Sequence, residues 1–129
     1  MSVLARTVCG MNLSMGSITI DCAEPRALAE FWTQALDLEV AFDADGYFMS
    51  LRSPTNPSQP AIGLQKVPEE KAGKNRVHID FMTDDPDGEI ARLVALGAVA
   101  GEKHEVPGLT WTVLSDPVGN EFCVGSEHS

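Results

Sequence analysis

A chain of 129 residues, 43% hydrophobic and 22% charged, has the length of one domain and the composition of a folded one rather than a disordered one. Nine Lys and Arg against 19 Asp and Glu give a net charge of −10, and a surface that acidic repels phosphate backbones, which excludes nucleic acid and anionic membranes as partners. No apolar run approaches the roughly 20 residues that span a bilayer, the N-terminus does not read as a secretory signal, and three cysteines without a CxxC pair predict a reducing, cytoplasmic setting.

Residues 1–15 lack a clean period and read as an N-terminal extension, which leaves a single domain over 16–127. Ser17 to Cys22 alternates polar and apolar and predicts a strand. Pro25 suits a first helical turn, and Leu28, Phe31, Trp32, Ala35 and Leu36 form one apolar helix face that takes Trp32 into the core. Strands are expected at 38–43 and 47–52 around an Asp45-Gly46 hairpin turn. Residues 53–60 hold three prolines and form a loop, and another strand follows at 61–67. A polar connector, 68–75, ends the first half.

The pattern then restarts. Residues 76–82 alternate like the first strand, and Asp85 stands as N-cap before Pro86. Ile90, Leu93 and Val94 give a second helix face closed by Gly97. Strands follow at about 98–105, 109–115 and 121–125, with a turn at Asp116-Pro117-Val118-Gly119-Asn120. Ser17 to His78 and Pro25 to Pro86 share one offset of 61 residues. The chain is therefore an internal repeat of two βαβββ modules, about 16–67 and 76–127, in an α+β fold.

Strand alternation divides these residues between two faces. Ile18, Ile20, Val77, Ile79, Phe81, Phe122 and Val124 share the parity expected under the helices. Ser17, Thr19, Asp21, His78, Asp80, Met82, Glu121 and Cys123 share the other, a polar face that reads as a ligand site. His78 and Asp80 lie about 6.5–7 Å apart along one strand, within joint reach of one ligand or water. A hydrogen-bonded structural imidazole is the alternative for His78, and turn-capping carboxylates are the alternative for Asp21 and Asp80. Cys123 suggests a nucleophile, but no cation or helix N-terminus stands nearby to lower its pKa, so it reads as a buried, inert thiol. Lys66, Lys71, Lys74 and Arg76 hold four of the nine basic residues. Lys71 and Lys74 read as connector and Arg76 as a candidate ligand contact. The face taken by Trp111, and by Tyr47, Phe48 and Met49, is open; turned to the polar face, Trp111 offers a flat surface to a planar ligand. No nucleophile elbow or Gly-rich phosphate loop is present, which argues against hydrolases and nucleotide binders.

Three segments, ITIDCAEPRALAEFW, KNRVHIDFMTDDPDGEIARLVALGA and WTVLSDPVGNEFCV, resemble the vicinal oxygen chelate superfamily of glyoxalase I, extradiol dioxygenases and bleomycin-resistance proteins, and within it the glyoxalase-like branch. The resemblance covers about 16–125 and implies that the modules curl a mixed sheet into a ligand-enclosing cup, usually in a homodimer. Its four metal positions fall on Ser17, Gln65, His78 and Cys123. Only His78 is the usual ligand type, so the resemblance implies a site without a tightly bound metal; a divalent ion, if held, would take His78, Cys123 and Gln65, with Asp80 or Asp21 a strand repeat away. Fold alone does not fix function here. The expectation is a small-molecule-binding protein acting on a carbonyl-bearing or planar metabolite. His78 and Asp80 are the candidate catalytic pair, and Ser17, Thr19, Gln65, Arg76, Trp111 and Cys123 the candidate ligand contacts. A divalent-metal lyase or dioxygenase and a non-catalytic sequestering protein are the competing readings.

Overall fold

The structure, a computed structural model, describes residues 12–128. Most of the expected extension, residues 1–11, lies outside them, and residues 12–16 lead without regular structure into the first strand. The first module is β1 (Ser17–Cys22), α1 (Pro25–Leu36), β2 (Glu39–Asp43), β3 (Phe48–Arg52) and β4 (Ala61–Lys66). The second is β5 (Ile79–Met82), α2 (Pro86–Leu96), β6 (Val99–Val106), β7 (Leu109–Ser115) and β8 (Glu121–Glu127). Each module forms an open four-stranded mixed sheet, ordered β1-β4-β3-β2 in the first and β5-β8-β7-β6 in the second. In both sheets the first and last strands of the module pair in parallel and the remaining pairs are antiparallel.

Local chemistry accounts for the element ends. Pro25 opens α1, and Asp37, in the left-handed conformation at φ 55°, ends it. The β2–β3 turn carries Asp45 and Gly46 at φ 53° and 77°, the twist that a two-residue hairpin needs. At α2 the Asp85 carboxylate accepts the Gly88 N–H at 3.1 Å, and Gly97 at φ 123° closes the helix. The α2 stripe is narrower than expected. Leu93 is buried and Ile90 and Leu96 partly so, but Val94 faces solvent.

One core runs through both modules. Leu28, Phe31, Trp32 and Ala35 of α1 pack on Met49, Leu51, Ile62 and Leu64 of the first sheet and on Phe122 and Val124 of the second. The Trp32 ring lies 5.2 Å from Phe122 and 6.2 Å from Phe81 between centroids. Its indole N–H donates to the Asp116 carboxylate at 3.1 Å. The helix-side parity holds for Ile18, Ile20, Ile79, Phe81, Phe122 and Val124. It fails for Val77, which is 77% exposed, because β5 begins at Ile79 and the alternation of 76–78 is a property of the connector.

Candidate functional site

The parallel β5–β8 register sets Asp80 directly beside Cys123. His78 stands just before β5, outside the ladder, so strand alternation does not hold its side chain to a fixed spacing from Asp80. The imidazole turns back until Nε2 lies 3.3 Å from Asp80 Oδ1. One donor atom from each of His78, Asp80 and Cys123 comes within 4.8 Å of the others. His78 and Asp80 are exposed and Cys123 is buried. Asp80, which the sequence reading set a strand repeat away, is therefore the third member of the cluster.

Burial pushes the Cys123 thiol up to about 11, and the Asp80 carboxylate, as hydrogen-bond partner and as a charge, pushes the same way. At neutral pH Cys123 is a thiol donating to Asp80 and not a thiolate nucleophile. A cavity of about 220 Å³ lies beside His78, between β1 and β5; Asp21, Asn75, Asn120 and Glu121 line it together with Trp32 of α1 and Ile18, Ile79 and Phe122 of the helix-side parity, and Asp80 and Cys123 do not. Glu121 is held below the usual carboxylate range chiefly by the Asn75 N–H, at 2.9 Å, with the Lys74 ammonium at 3.5 Å adding its charge.

The surrounding sheet surfaces settle the orientations left open by the sequence. Trp111 pairs with Gly125. A Cβ on Gly125 would stand 3.2 Å from Trp111 Cβ and 3.6 Å from Met82 Sδ, so Trp111 and Met82 flank one shelf on the face that carries Asp80 and Cys123. His104 stacks on the Trp111 ring at 5.2 Å. In the first sheet, Thr19 pairs with Gly63, and a Cβ there would meet Thr19 Oγ1 at 2.6 Å and the Phe48 ring at 3.2 Å. Phe48 thus lies on the face of Thr19, whereas Met49 is buried in the core and Tyr47 sits exposed at the hairpin with Lys66 over its ring.

The remaining sequence candidates are more scattered. Ser17 is exposed at the start of β1, and Gln65 is exposed at the far end of β4 beside Asp21. Among the His, Cys, Asp and Glu side chains of the described residues, the third donor within reach of His78 and Cys123 is Asp80. The register equivalent to Asp80–Cys123 in the first module is Thr19–Gly63, so the repeat places a side-chain-free residue where the second module has its thiol. Arg76 lines an adjoining cleft of about 850 Å³ beneath the connector, together with Lys71 and Lys74, and this cleft shares Asp21, Asn75 and Asn120 with the cavity beside His78. Lys71 donates to the Gly73 carbonyl and Lys74 pairs with Glu121, consistent with the connector reading of both. Sequence reasoning passed over Asn75 and Asn120. Their only signal was position, one before the His78 segment and the other in the turn that feeds β8.

The donor set fits a divalent metal by type. An imidazole nitrogen, a carboxylate oxygen and a sulfur make three protein ligands, the number a catalytic zinc site uses beside an open position.

Residues 17–125 match the family described as Glyoxalase-like domain. No curated protein matches the chain by sequence. Among solved structures, a glyoxalase/bleomycin resistance protein/dioxygenase family enzyme from Burkholderia phytofirmans PsJN superposes with a TM-score of 0.75 at 17% identity, over 90% of this chain and 100% of that one. A lactoylglutathione lyase from Agrobacterium tumefaciens gives 0.64 at 18% identity, over 90% and 94% of the two chains. The fosfomycin resistance protein FosX from Mesorhizobium loti gives 0.70 at 13% identity, over 92% and 95%. At these identities the likeness is one of fold.

Proposed function

This chain belongs to the Glyoxalase-like domain family of the vicinal oxygen chelate superfamily, and on that premise we propose that it binds and turns over a small carbonyl-bearing or planar metabolite at the His78–Asp80–Cys123 cluster. The observation that carries this reading is an exposed imidazole, held by a carboxylate at 3.3 Å, beside the sheet face that carries Cys123 and the Trp111 shelf. His78 serves as the acid/base that moves a proton at the carbon α to the carbonyl, and Asp80 fixes its ring and balances the imidazolium that forms. Cys123 keeps Asp80 in place by donating to it. The shelf at Gly125, bounded by Trp111 and Met82, takes a flat apolar portion of the ligand.

The test is solvent deuterium exchange at the carbon α to the carbonyl of hydroxyacetone, followed by NMR. Exchange above the buffer rate in the native protein and its loss in His78→Gln are expected. Equal exchange in both would overturn the assignment.

A second reading, a divalent-metal lyase or dioxygenase, is favoured by the three-donor set. His78, Asp80 and Cys123 would hold the ion, with Gln65 the further ligand that the resemblance implies. When bound, the ion would polarise the carbonyl oxygen. Elemental analysis of freshly purified protein decides between the two: less than one metal per chain is expected, and one per chain lost in His78→Ala would establish the second.

We also propose a homodimer in a reducing cytoplasm. The edge strands β2 and β6 expose Val40, Phe42, Val99 and Val106, an apolar set that pairing would cover. Cys22 and Cys123 are free and buried, and no helix among the described residues is long and apolar enough to cross a membrane. Light scattering across the micromolar range should report twice the chain mass of 13.8 kDa; a single chain mass throughout would refute the dimer.

A further inference from the structure

Four residues line up across the second sheet. Met82 pairs with Gly125, Gly125 with Trp111, and Trp111 with His104, so one row crosses β5, β8, β7 and β6 in that order. Residues in register share a face, and this row lies two residues along β5 and β8 from the Asp80–Cys123 pair, on the same face. Burial agrees: Met82 is 53% exposed, whereas Thr112 and Val124 next to the row are buried in the core.

The two rings of the row stand on end. His104 and Trp111 are stacked, with 5.2 Å between centroids and 21° between planes. That separation is close to the roughly 4.7–4.9 Å between neighbouring strands, so the rings face each other along the row and do not lie flat on the sheet. His104 therefore covers one face of the indole, and the other is turned toward β8. There Gly125 brings no side chain, and the next wall is the strand of Met82, two strand spacings or about 9.5 Å from that of Trp111. A flat ring needs about 3.5–4 Å on each side, so the spacing takes one ring and not two. The Met82 sulfur stands 3.6 Å from the position of a Gly125 Cβ, so the thioether leans over this gap. Unbranched and exposed, it can swing out and close on the outer face of a ring that takes its place.

The walls also select the kind of ring. Indole and thioether are electron-rich, and their negative faces favour an electron-poor partner. A ring conjugated to a carbonyl is electron-poor, and its carbonyl has a place to go. Asp80 stands one strand repeat, about 6.5–7 Å, from Met82, with the His78 imidazole at its carboxylate. His104 stays behind the indole, out of reach of such a ring. Its part is to keep the indole upright; without it Trp111 can fold down over Gly125 and close the gap.

We propose that the Met82–Gly125–Trp111–His104 row is a stacking site for one aromatic ring, that the substrates of this protein are aryl carbonyl compounds, and that His104 is the positioning residue of the Trp111 platform. This rests on His78 marking the reaction site, and it adds the class of the group attached to the carbonyl.

The test is titration of isotope-labelled protein with α-hydroxyacetophenone, its non-planar counterpart cyclohexyl hydroxymethyl ketone, and hydroxyacetone, following backbone amides and the indole N–H signals. The aryl ketone is expected to shift the Trp111 indole and the Met82, Gly125 and His78 amides. It should bind about threefold or more tightly than the cyclohexyl ketone and at least about tenfold more tightly than hydroxyacetone. The aryl-to-cyclohexyl ratio should fall toward one in Trp111→Leu and in His104→Ala, and His104→Phe, which keeps a stacked ring, should restore it. Should Trp111→Leu not fold, the three-compound comparison on the native chain and the two His104 variants stand as the test. Equal binding of the aryl and cyclohexyl ketones, or a shift at His78 without one at Trp111, would overturn the stacking site and leave His78 in place. A ratio unchanged in His104→Ala would remove His104 from the platform. A Trp111 signal that moves with protein concentration and not with the aryl ketone would mean that a second copy covers the row, and would overturn the proposal. Shifts at neither His78 nor Trp111 with any compound would overturn both the stacking site and the reaction site. Aryl-selective binding at Trp111 without deuterium exchange in any of the three ketones would retain the stacking site and reject the acid/base.

Discussion

Asp116 shows how much one side chain can carry. It is 2% exposed, yet its carboxylate accepts the Val118 and Asn120 N–H groups at 3.0 and 2.9 Å and the Trp32 indole at 3.1 Å. Burial raises its pKa, and these hydrogen bonds pull the other way. Asp116→Ala leaves three donors without their acceptor and is expected to cost about 3 kcal/mol in urea unfolding. Cys123 gives a prediction with a pH sign. Its thiol is raised in the native state from 9.0 to about 11, so the native chain holds this proton more tightly than the unfolded chain does. Stability from this group is intact below pH 9.0 and declines as pH rises through about 11. Chemical unfolding across that window should show the decline, and Cys123→Ala should remove all of it but the part due to Cys22, whose thiol burial also raises. A profile unchanged in Cys123→Ala would mean that the thiol is not so held. At this scale the sequence identified His78, Asp80 and Cys123 individually. It did not show that Asp80 meets Cys123, because pairing register depends on where β5 starts, and alternation alone does not mark that point.

Elements differ in how plainly their residues announce them. α1 follows directly from its i, i+3, i+4, i+7 stripe, since Leu28, Phe31, Trp32 and Ala35 are all buried. The Asp45-Gly46 hairpin and the Asp85 cap were equally legible because each depends on chemistry within four residues. β5 was legible in type but not in extent. Val77 continues the apolar alternation, but the backbone there is tied by Asn75 to Glu121, 46 residues away, a tertiary contact with no local signature. Substitutions along this segment should report the boundary. Val77→Ala should change stability by less than about 0.5 kcal/mol. Phe81→Ala removes a ring packed 5.9 Å from Phe122 and 6.2 Å from Trp32, and should cost about 3 kcal/mol. His78→Ala, at an exposed position, should cost about 1 kcal/mol or less. Thermal melts of the three variants order them; a His78→Ala loss equal to that of Phe81→Ala would make the imidazole structural.

The 61-residue offset revealed the repeat, but a repeat does not say whether its two copies stand separately. The structure joins them through α1, whose Trp32 is shared between the modules: it lies among first-module core residues, packs against Phe81 at a tilt and Phe122 edge-on in the second, and donates to Asp116. Arg92 of α2 returns the connection by donating to the Gln34 and Ala35 carbonyls at the end of α1. A module alone would expose those aromatic faces and leave Asp116 or the indole unpaired, so neither half has a complete core. The chain should therefore unfold in one transition, although its sequence contains two similar units. Far-UV circular dichroism and tryptophan fluorescence should give the same urea midpoint and slope. Trp32→Phe keeps most of the buried area but removes the bond to Asp116, and should lower the midpoint while the transition stays single. A second transition in the native chain, or independent folding of residues 16–67, would show that the modules are separate units and that the slot between β1 and β5 is a boundary rather than part of one framework.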